Sequence, residues 1–384
     1  MVSEFDTIIV GAGPAGNTAA YFLSLAGKRV LVLEKERLPR YKACGGALSP
    51  KVLKQFHFSF DPVIEHSVSQ VSFAFGNKFA TTPIATGDIV MVMRDRFDEH
   101  ILANSEIEIR DRSWVRTVKE TGMQVEVETQ SGDRFRGRYL IGADGANSVV
   151  ARPLDLRRGK VTAAALDAEV TIDPDELPEN LRHPVFIFGE LEQGYLWIFP
   201  KRRCLSVGAA ALHPSRGQLQ STLLSVMSGY GISLDRVKLC GHPIPITARR
   251  KQIATARCLL VGDAAGLADP FSGEGIRLAI TSGRLAAEAI LAEKPEQYAR
   301  QVDKKIRGSH LWAWHLAAFF YRFQGLCFRA GMTNPQAVPA FLELLAGESS
   351  YRRVMLKLLA SLPMQLARHL LGNPTQVLIS ARGV

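Results

Sequence analysis

At 384 residues the chain exceeds the usual size of one hydrophobic core, so two or three subdomains are expected. Hydrophobic residues at 47% and charged residues at 22% are globular proportions and exclude a disordered chain. The net charge of +10 is uneven: from Arg300 onward eleven basic residues face only Asp303, Glu343 and Glu348, so an acidic partner would be met by the C-terminal segment. The cysteines Cys44, Cys204, Cys240, Cys258 and Cys327 are odd in number and include no CxxC pair. That argues against a disulfide framework or a zinc site and for a reducing compartment. No secretory signal precedes the first strand and no apolar run is long enough to span a bilayer, so a cytoplasmic location is expected.

The β-branched run Asp6-Thr7-Ile8-Ile9-Val10 reads as a buried strand. It leads into Gly11-Ala12-Gly13-Pro14-Ala15-Gly16, an apolar helical stretch from Thr18 to Ala26, and a second strand, Arg29 to Leu33, that ends on Glu34. Strand, glycine turn, helix, strand and acidic residue form the fingerprint of an adenine-dinucleotide site. Gly11 permits the tight turn, Gly13 lets a pyrophosphate approach the backbone, and Gly16 allows helix and strand to pack closely. The helix N-terminus offers N–H groups to phosphate, and Glu34 can accept from a ribose hydroxyl pair.

Further along, Arg40-Tyr41-Lys42-Ala43-Cys44-Gly45-Gly46 reads as a loop whose backbone lies against something flat, or more plainly as a glycine turn with a buried thiol. Residues 67–91 alternate as strands outside the nucleotide domain, and Arg94 to Leu102 restarts a helical pattern. Strands are expected at 107–109 and 115–118, then a hairpin of 123–129 with 134–140. Tyr139 to Ile141 deliver Ala143-Asp144-Gly145 to a strand end, where ligands of open α/β sheets sit. From 161 to 250 longer strands (164–172, 185–188, 195–199 and 205–210) and a helix near 219–230 indicate a mostly antiparallel domain. There the period of two places Tyr195, Trp197 and Phe199 on one strand face, either core or an apolar wall facing a ligand.

Cys258 to Val261 form a third buried strand that ends in Gly262-Asp263-Ala264, and Asp263 can accept from the ribityl hydroxyls of a flavin. Gly273 to Gly275 can approach a ring closely, ahead of a helix from Arg277 to about Ala292. The expected fold is therefore α/β: a discontinuous Rossmann-like dinucleotide-binding domain (1–66, 92–155, 250–295), FAD-binding by the resemblance described below, with an inserted, mostly antiparallel α+β substrate domain (67–91, 156–249). A helical region, 296–384, completes it. Within this region Leu311 to Met332 is aromatic-rich, and Tyr351 to Leu371 is amphipathic and basic, with a kink or break at Pro363. Peripheral contact with an anionic membrane and a cap on the protein's own core are both open to this segment. No nucleic-acid partner is expected.

The three strand-end motifs resemble the hydroxylase-type flavoprotein fold. Lys42-Ala43-Cys44-Gly45-Gly46 is similar to the Lys-Pro-Cys-Gly-Gly loop of the geranylgeranyl reductase family, and Tyr195-x-Trp197-x-Phe199-Pro200 resembles that family's Tyr-x-Trp-x-Phe-Pro strand. Ala43 departs from the family's proline. The resemblance covers roughly residues 5–295 and implies an FAD-dependent reductase of isoprenoid double bonds. It implies that Gly11, Gly13, Pro14, Ala15 and Gly16 hold the FAD pyrophosphate, with Glu34, followed by Lys35, at the adenosine ribose. Arg94 would contact the phosphate side, Val115 the adenine and Asp263 the ribityl chain, while Asp144 would brace the glycine loop. Gly275 and Ile276 would border the pyrimidine edge of the flavin. Cys44, Gly45 and Gly46 would lie against the isoalloxazine, with Cys44 a proton donor or relay, and Tyr195, Trp197 and Phe199 would line an isoprenoid tunnel. The chain shows no second nucleotide fingerprint, so the electron donor is NAD(P)H or a ferredoxin. An FAD monooxygenase or halogenase of the same fold and a non-catalytic flavin-bound lipid carrier are the alternatives.

Overall fold

The computed structural model describes residues 4–84, 88–157, 161–173, 175, 177–246, 252–334, 337–357 and 380–381. The β-branched run Glu4–Val10 pairs in parallel with Val30–Leu33 on one side and with Arg134–Gly142 on the other. The C-terminal half of the latter pairs in parallel with Cys258–Leu260. Toward their carboxyl ends, Thr7–Val10, Val30–Leu33, Tyr139–Gly142 and Cys258–Leu260, these strands are wholly buried, as continuous apolar runs require of a sheet covered on both faces. Register aligns Val10 with Leu33 and Gly142, and Gly142 with Leu260. Four chain segments therefore leave the sheet at one carboxyl edge, placing Gly11, Glu34, Ala143 and Asp263 in a row.

Two helices start beside this edge. Pro14–Leu25 and Ile276–Leu291 pack so closely that a Cβ on Gly283 would enter the Ala15 backbone. Gly16 is equally confined, because a Cβ there would overlap the Gly11 carbonyl.

The second sheet has eight strands in the order Cys240–Ile246, Val161–Thr171, Cys204–Ala211, Gly194–Pro200, Val185–Phe188, Gln70–Phe75, Lys78–Pro83 and Ser380–Ala381. Leu196 and Ile198 turn to one face, where Leu205, Val207 and the helix Gln218–Gly229 complete a core. By the same period Tyr195, Trp197 and Phe199 take the other face, together with Phe73, Phe186 and Ala210. The strands Ala47–Leu48, Ile89–Val92 and Ile64–Val68 form a small third sheet between the two.

One strand goes beyond the expectation, and the helical region takes a definite form. The strand Cys240–Ile246 carries Pro243 and Pro245, which argue against a sheet interior; it forms because it is an edge strand, where a missing N–H is tolerated. The aromatic stretch after Gly308 is two helices, Gly308–Arg322 and Gln324–Thr333, broken at Phe323 (φ −126°, ψ 40°). The helix expected over 351–371 is described as far as Lys357; its remainder, with Pro363, lies outside the described residues.

The C-terminal helices pack back onto the second sheet. Phe328 stacks on Phe75 at 5.5 Å, Phe320 meets Phe188 at 5.2 Å, and Phe341, from the helix Ala337–Leu345, meets Phe73 at 5.7 Å. Among the described residues no helix is long and apolar enough to cross a membrane.

Candidate active site

A cavity of about 1050 Å³ runs from the glycine turn, past Asp263, Gly275 and Ile276, to Cys44 and the aromatic face of the second sheet. At its nucleotide end Gly11 adopts φ +103°, and an added Cβ would overlap the Ala143 carbonyl. The Ala12 N–H donates to Glu34 Oε2 at 2.8 Å, and Glu34 is buried. Arg40 lies over this turn, with Nε 3.3 Å from Glu34 Oε2 and Nη2 donating to the Ala12 carbonyl at 3.2 Å. The helix Pro14–Leu25 has no side-chain cap and no acidic residue in its first turn, so its positive end faces the cavity uncompensated.

The remaining residues expected at this end divide. Val115 is buried and lines the cavity. Lys35 also borders the cavity, but it is exposed, its ammonium 5.4 Å from the centre of the Trp114 ring. Arg94 lines the cavity, but its guanidinium grips Asp98 through bonds of 3.0 and 2.8 Å. Burial works against its charge, and the Asp98 carboxylate, helped by the Cys44 sulphur it faces, more than restores it. The Asp144 carboxylate turns to its own loop, accepting from the N–H groups of Val149 (2.6 Å) and Val150 (3.2 Å), so the glycine turn meets its backbone rather than its side chain. Burial pushes the Asp144 carboxyl up.

At the other end the Cys44-Gly45-Gly46 loop is clamped from below. A Cβ on Gly45 would come within 2.7 Å of the Phe199 ring. The Cys44 N–H donates to Asp167 Oδ2 at 3.0 Å; Ser206 Oγ donates to Asp167 Oδ1 at 3.0 Å, and Trp197 Nε1 donates to Ser206 Oγ at 3.3 Å. Burial pushes the Asp167 carboxyl up to about 6, opposed by Lys201 and the Ser206 hydroxyl. Tyr195, Trp197 and Phe199 all line the cavity, and the Tyr195 hydroxyl donates to the Ser272 carbonyl at 2.5 Å. These three aromatics are thus both core and wall.

The loop between Ala268 and Gly275 edges the cavity and turns on Asp269, a buried carboxylate. Its Oδ1 accepts from the N–H groups of Phe271 and Ser272 and from the Tyr351 hydroxyl at 2.7 Å. Tyr321 donates to the Phe271 carbonyl at 3.0 Å. The following helix, Ile276–Leu291, again lacks a cap and an acidic first turn, and its N-cap Gly275 sits beside Asp263.

Sequence reasoning missed Arg40, Asp167, Ser206 and His242 as cavity or loop-holding residues. Asp167 had a signal, being the lone acid in the apolar run 163–168; His242 had none.

This arrangement fits FAD. Two uncapped helix ends and Arg40 suit a pyrophosphate and an electron-rich ring edge, and Glu34 suits a ribose. The cavity exceeds the range of about 300–1,000 Å³ usual for one small molecule, leaving room beside a dinucleotide. When bound, FAD supplies the two-electron chemistry; the chain supplies position and protons.

A family model of the NAD(P)-binding Rossmann-like domain matches residues 9–75. A crystal structure from Thermoplasma acidophilum, described as geranylgeranyl bacteriochlorophyll reductase-like, shares the fold: TM-score 0.75 at 22% identity, over 96% of this chain and 99% of that one. The geranylgeranyl diphosphate reductase of Rhodobacter capsulatus is 31% identical over 300 residues, 75% of each chain. Digeranylgeranylglycerophospholipid reductase 3 of Methanosphaera stadtmanae is 27% identical over 79% of this chain and 84% of its own length. Fold, cavity and relatives together define an FAD-dependent oxidoreductase. Within that class the chain belongs to the geranylgeranyl reductase family.

Proposed function

We propose that this protein saturates carbon–carbon double bonds of a geranylgeranyl-type chain carried on a lipid, diphosphate or pigment precursor. The observation that carries this reading is the contact of the Cys44-Gly45-Gly46 loop with the aromatic wall. It supports a site in which an apolar chain lies beside the flavin ring with water excluded. The reduction needs a hydride and a proton at adjacent carbons, and the Cys44 thiol can give that proton where a carboxyl would be costly to ionise. NAD(P)H or a ferredoxin would reduce the enzyme. The test is anaerobic: reduced protein is mixed with geranylgeranyl lipids or diphosphate, and products are followed by mass. Addition of hydrogen across one or more double bonds with flavin reoxidation supports the reading; substrate oxygenation or halogenation once air is admitted refutes it. Cys44→Ala is expected to lose about 100-fold in turnover, and full activity in both Cys44→Ala and Cys44→Ser would remove the thiol from the mechanism.

The substrate's route is part of the same reading. The outer face of the helices Gly308–Arg322 and Gln324–Thr333 exposes Leu311, Trp312, Phe319, Phe323 and Leu326, with Arg322 over the Phe323 ring. Apolar and cationic groups side by side suit the surface of an anionic bilayer. The protein is expected to sediment with anionic vesicles and less with neutral ones, and Phe319→Glu with Leu326→Glu should abolish the difference. Equal recovery with both vesicle types would exclude this face as a lipid contact.

A further inference from the structure

Asp167, Gly208 and Trp197 stand in one row across three neighbouring strands, Val161–Thr171, Cys204–Ala211 and Gly194–Pro200. A Cβ on Gly208 would stand 2.2 Å from the indole ring, so the glycine leaves the gap in which Trp197 lies over the middle strand. From the two sides of that gap Trp197 and Asp167 both reach Ser206, two residues back on the same strand face. Trp197 Nε1 lies 3.3 Å from Ser206 Oγ, Ser206 Oγ lies 3.0 Å from Asp167 Oδ1, and all three residues are buried.

Chemistry fixes the direction of these bonds. An indole N–H can only donate, so Ser206 Oγ accepts from Trp197 and has its own hydrogen left for Asp167. Asp167 then accepts on both oxygens, from Ser206 at Oδ1 and from the Cys44 N–H at Oδ2, at 3.0 Å each. The other end of the path returns to the same loop, since a Cβ on Gly45 would lie 3.5 Å from Trp197 Nε1. Indole, hydroxyl, carboxylate and loop thus close a ring. Ser206 itself does not line the cavity.

We propose that Ser206 is a positioning residue that sets the Cys44 loop and the aromatic wall against one another. The proposal rests on the function given above. A chain lying on Trp197 and the thiol of Cys44 are held in register because one hydroxyl joins the indole to the carboxylate that anchors the loop. Ser206 moves no proton and no electron. Ser206→Ala breaks both of its bonds and leaves the residues of the wall as they are, which separates positioning from binding.

Steady-state kinetics of the flavin-loaded enzyme test this. Ser206→Ala is expected to lose about tenfold in kcat with KM held within about twofold. Ser206→Thr keeps the hydroxyl and should stay within about threefold of the wild type. Trp197→Phe keeps a ring on the wall and removes the N–H, so in kcat the double variant with Ser206→Ala should fall no further than the worse single one. A second measurement needs no turnover. Asp167 titrates at about 6 in the folded protein, and losing a donor moves that value upward by about half a unit. The decline of stability with rising pH should therefore extend to higher pH in Ser206→Ala and not in Ser206→Thr. Wild-type kcat in Ser206→Ala, multiplied effects in the double variant, or an unmoved pH curve each overturns the proposal. If the wild-type protein reduces no isoprenoid, the proposed function fails, while the pH curve still decides whether Ser206 serves Asp167.

Discussion

Gly46→Ala is expected to keep its flavin and to lose about 100-fold in turnover. Gly46 has φ +75°, and an added Cβ would enter the Val92 carbonyl. The same backbone is pinned from the other side, because the Val92 N–H donates to the Gly46 carbonyl at 3.0 Å and Ala47 pairs with Met91 in the small third sheet. A left-handed alanine costs about 1–3 kcal/mol by itself, and the clash falls on backbone that cannot rotate away. The loop must therefore move, taking Cys44 with it, while the glycine turn at residues 11–16 still holds the dinucleotide. Gly45→Ala should lose less, since its obstacle is the edge of the Phe199 ring, which can shift at some expense to its contact with Phe186. Flavin absorbance and turnover, measured on both variants, check this; wild-type turnover in Gly46→Ala would show that the loop does not position the reacting groups.

Asp167 is the second expected large effect, and it has a sign. Its folded-state carboxyl titrates at about 6, above the ordinary 3.8, because burial dominates over Lys201 and its hydrogen-bond donors. Between these values the folded protein holds a proton that the unfolded chain has released. Stability therefore falls as pH rises from about 4 to about 6, and the cost is complete above that. Asp167→Asn removes the titration and should flatten stability across this window, measured as denaturation midpoints. Asp167→Ala leaves the Cys44 N–H and the Ser206 hydroxyl without their acceptor in a buried setting, at about 1–3 kcal/mol for each group. Its turnover should fall at least about tenfold below that of Asp167→Asn, because the thiol loop has lost its anchor. Identical pH profiles for wild type and Asp167→Asn would show that the carboxylate is not the titrating group.

What was legible in the sequence was local. Gly11 to Glu34 could be read because strand, turn and helix follow one another within a few residues, and each announces itself through β-branched runs, glycine or apolar spacing. The aromatic face of Gly194–Pro200 was legible through the period of two, although whether it met core or cavity depended on what lay across from it. Asp167 stood out only as a lone acid in an apolar run and His242 not at all, and what they meet could not be read because Cys44 and Lys42 lie 123 and 200 positions away. His242 was further hidden by Pro243 and Pro245, which mask an edge strand. The break at Phe323 had only a weak local signal, Gly325 two residues on, and Gln324 beside it reaches the Leu191 and Glu192 carbonyls at 2.8 and 2.9 Å.

The three phenols around Asp269 tie one edge of the cavity to distant parts of the chain. Tyr195 belongs to the aromatic sheet, and Tyr321 and Tyr351 to the C-terminal helices, yet all three hold one short loop. Leu342 and Ala346, which also line the cavity, lie between the latter two in sequence. With FAD and an isoprenoid in the cavity as proposed, a chain threaded past Leu342 would press on the loop that leads into Gly275, and the flavin's absorption spectrum would then gauge how far the cavity is filled. Substrates of different length could be ranked by colour alone, before any bond is reduced.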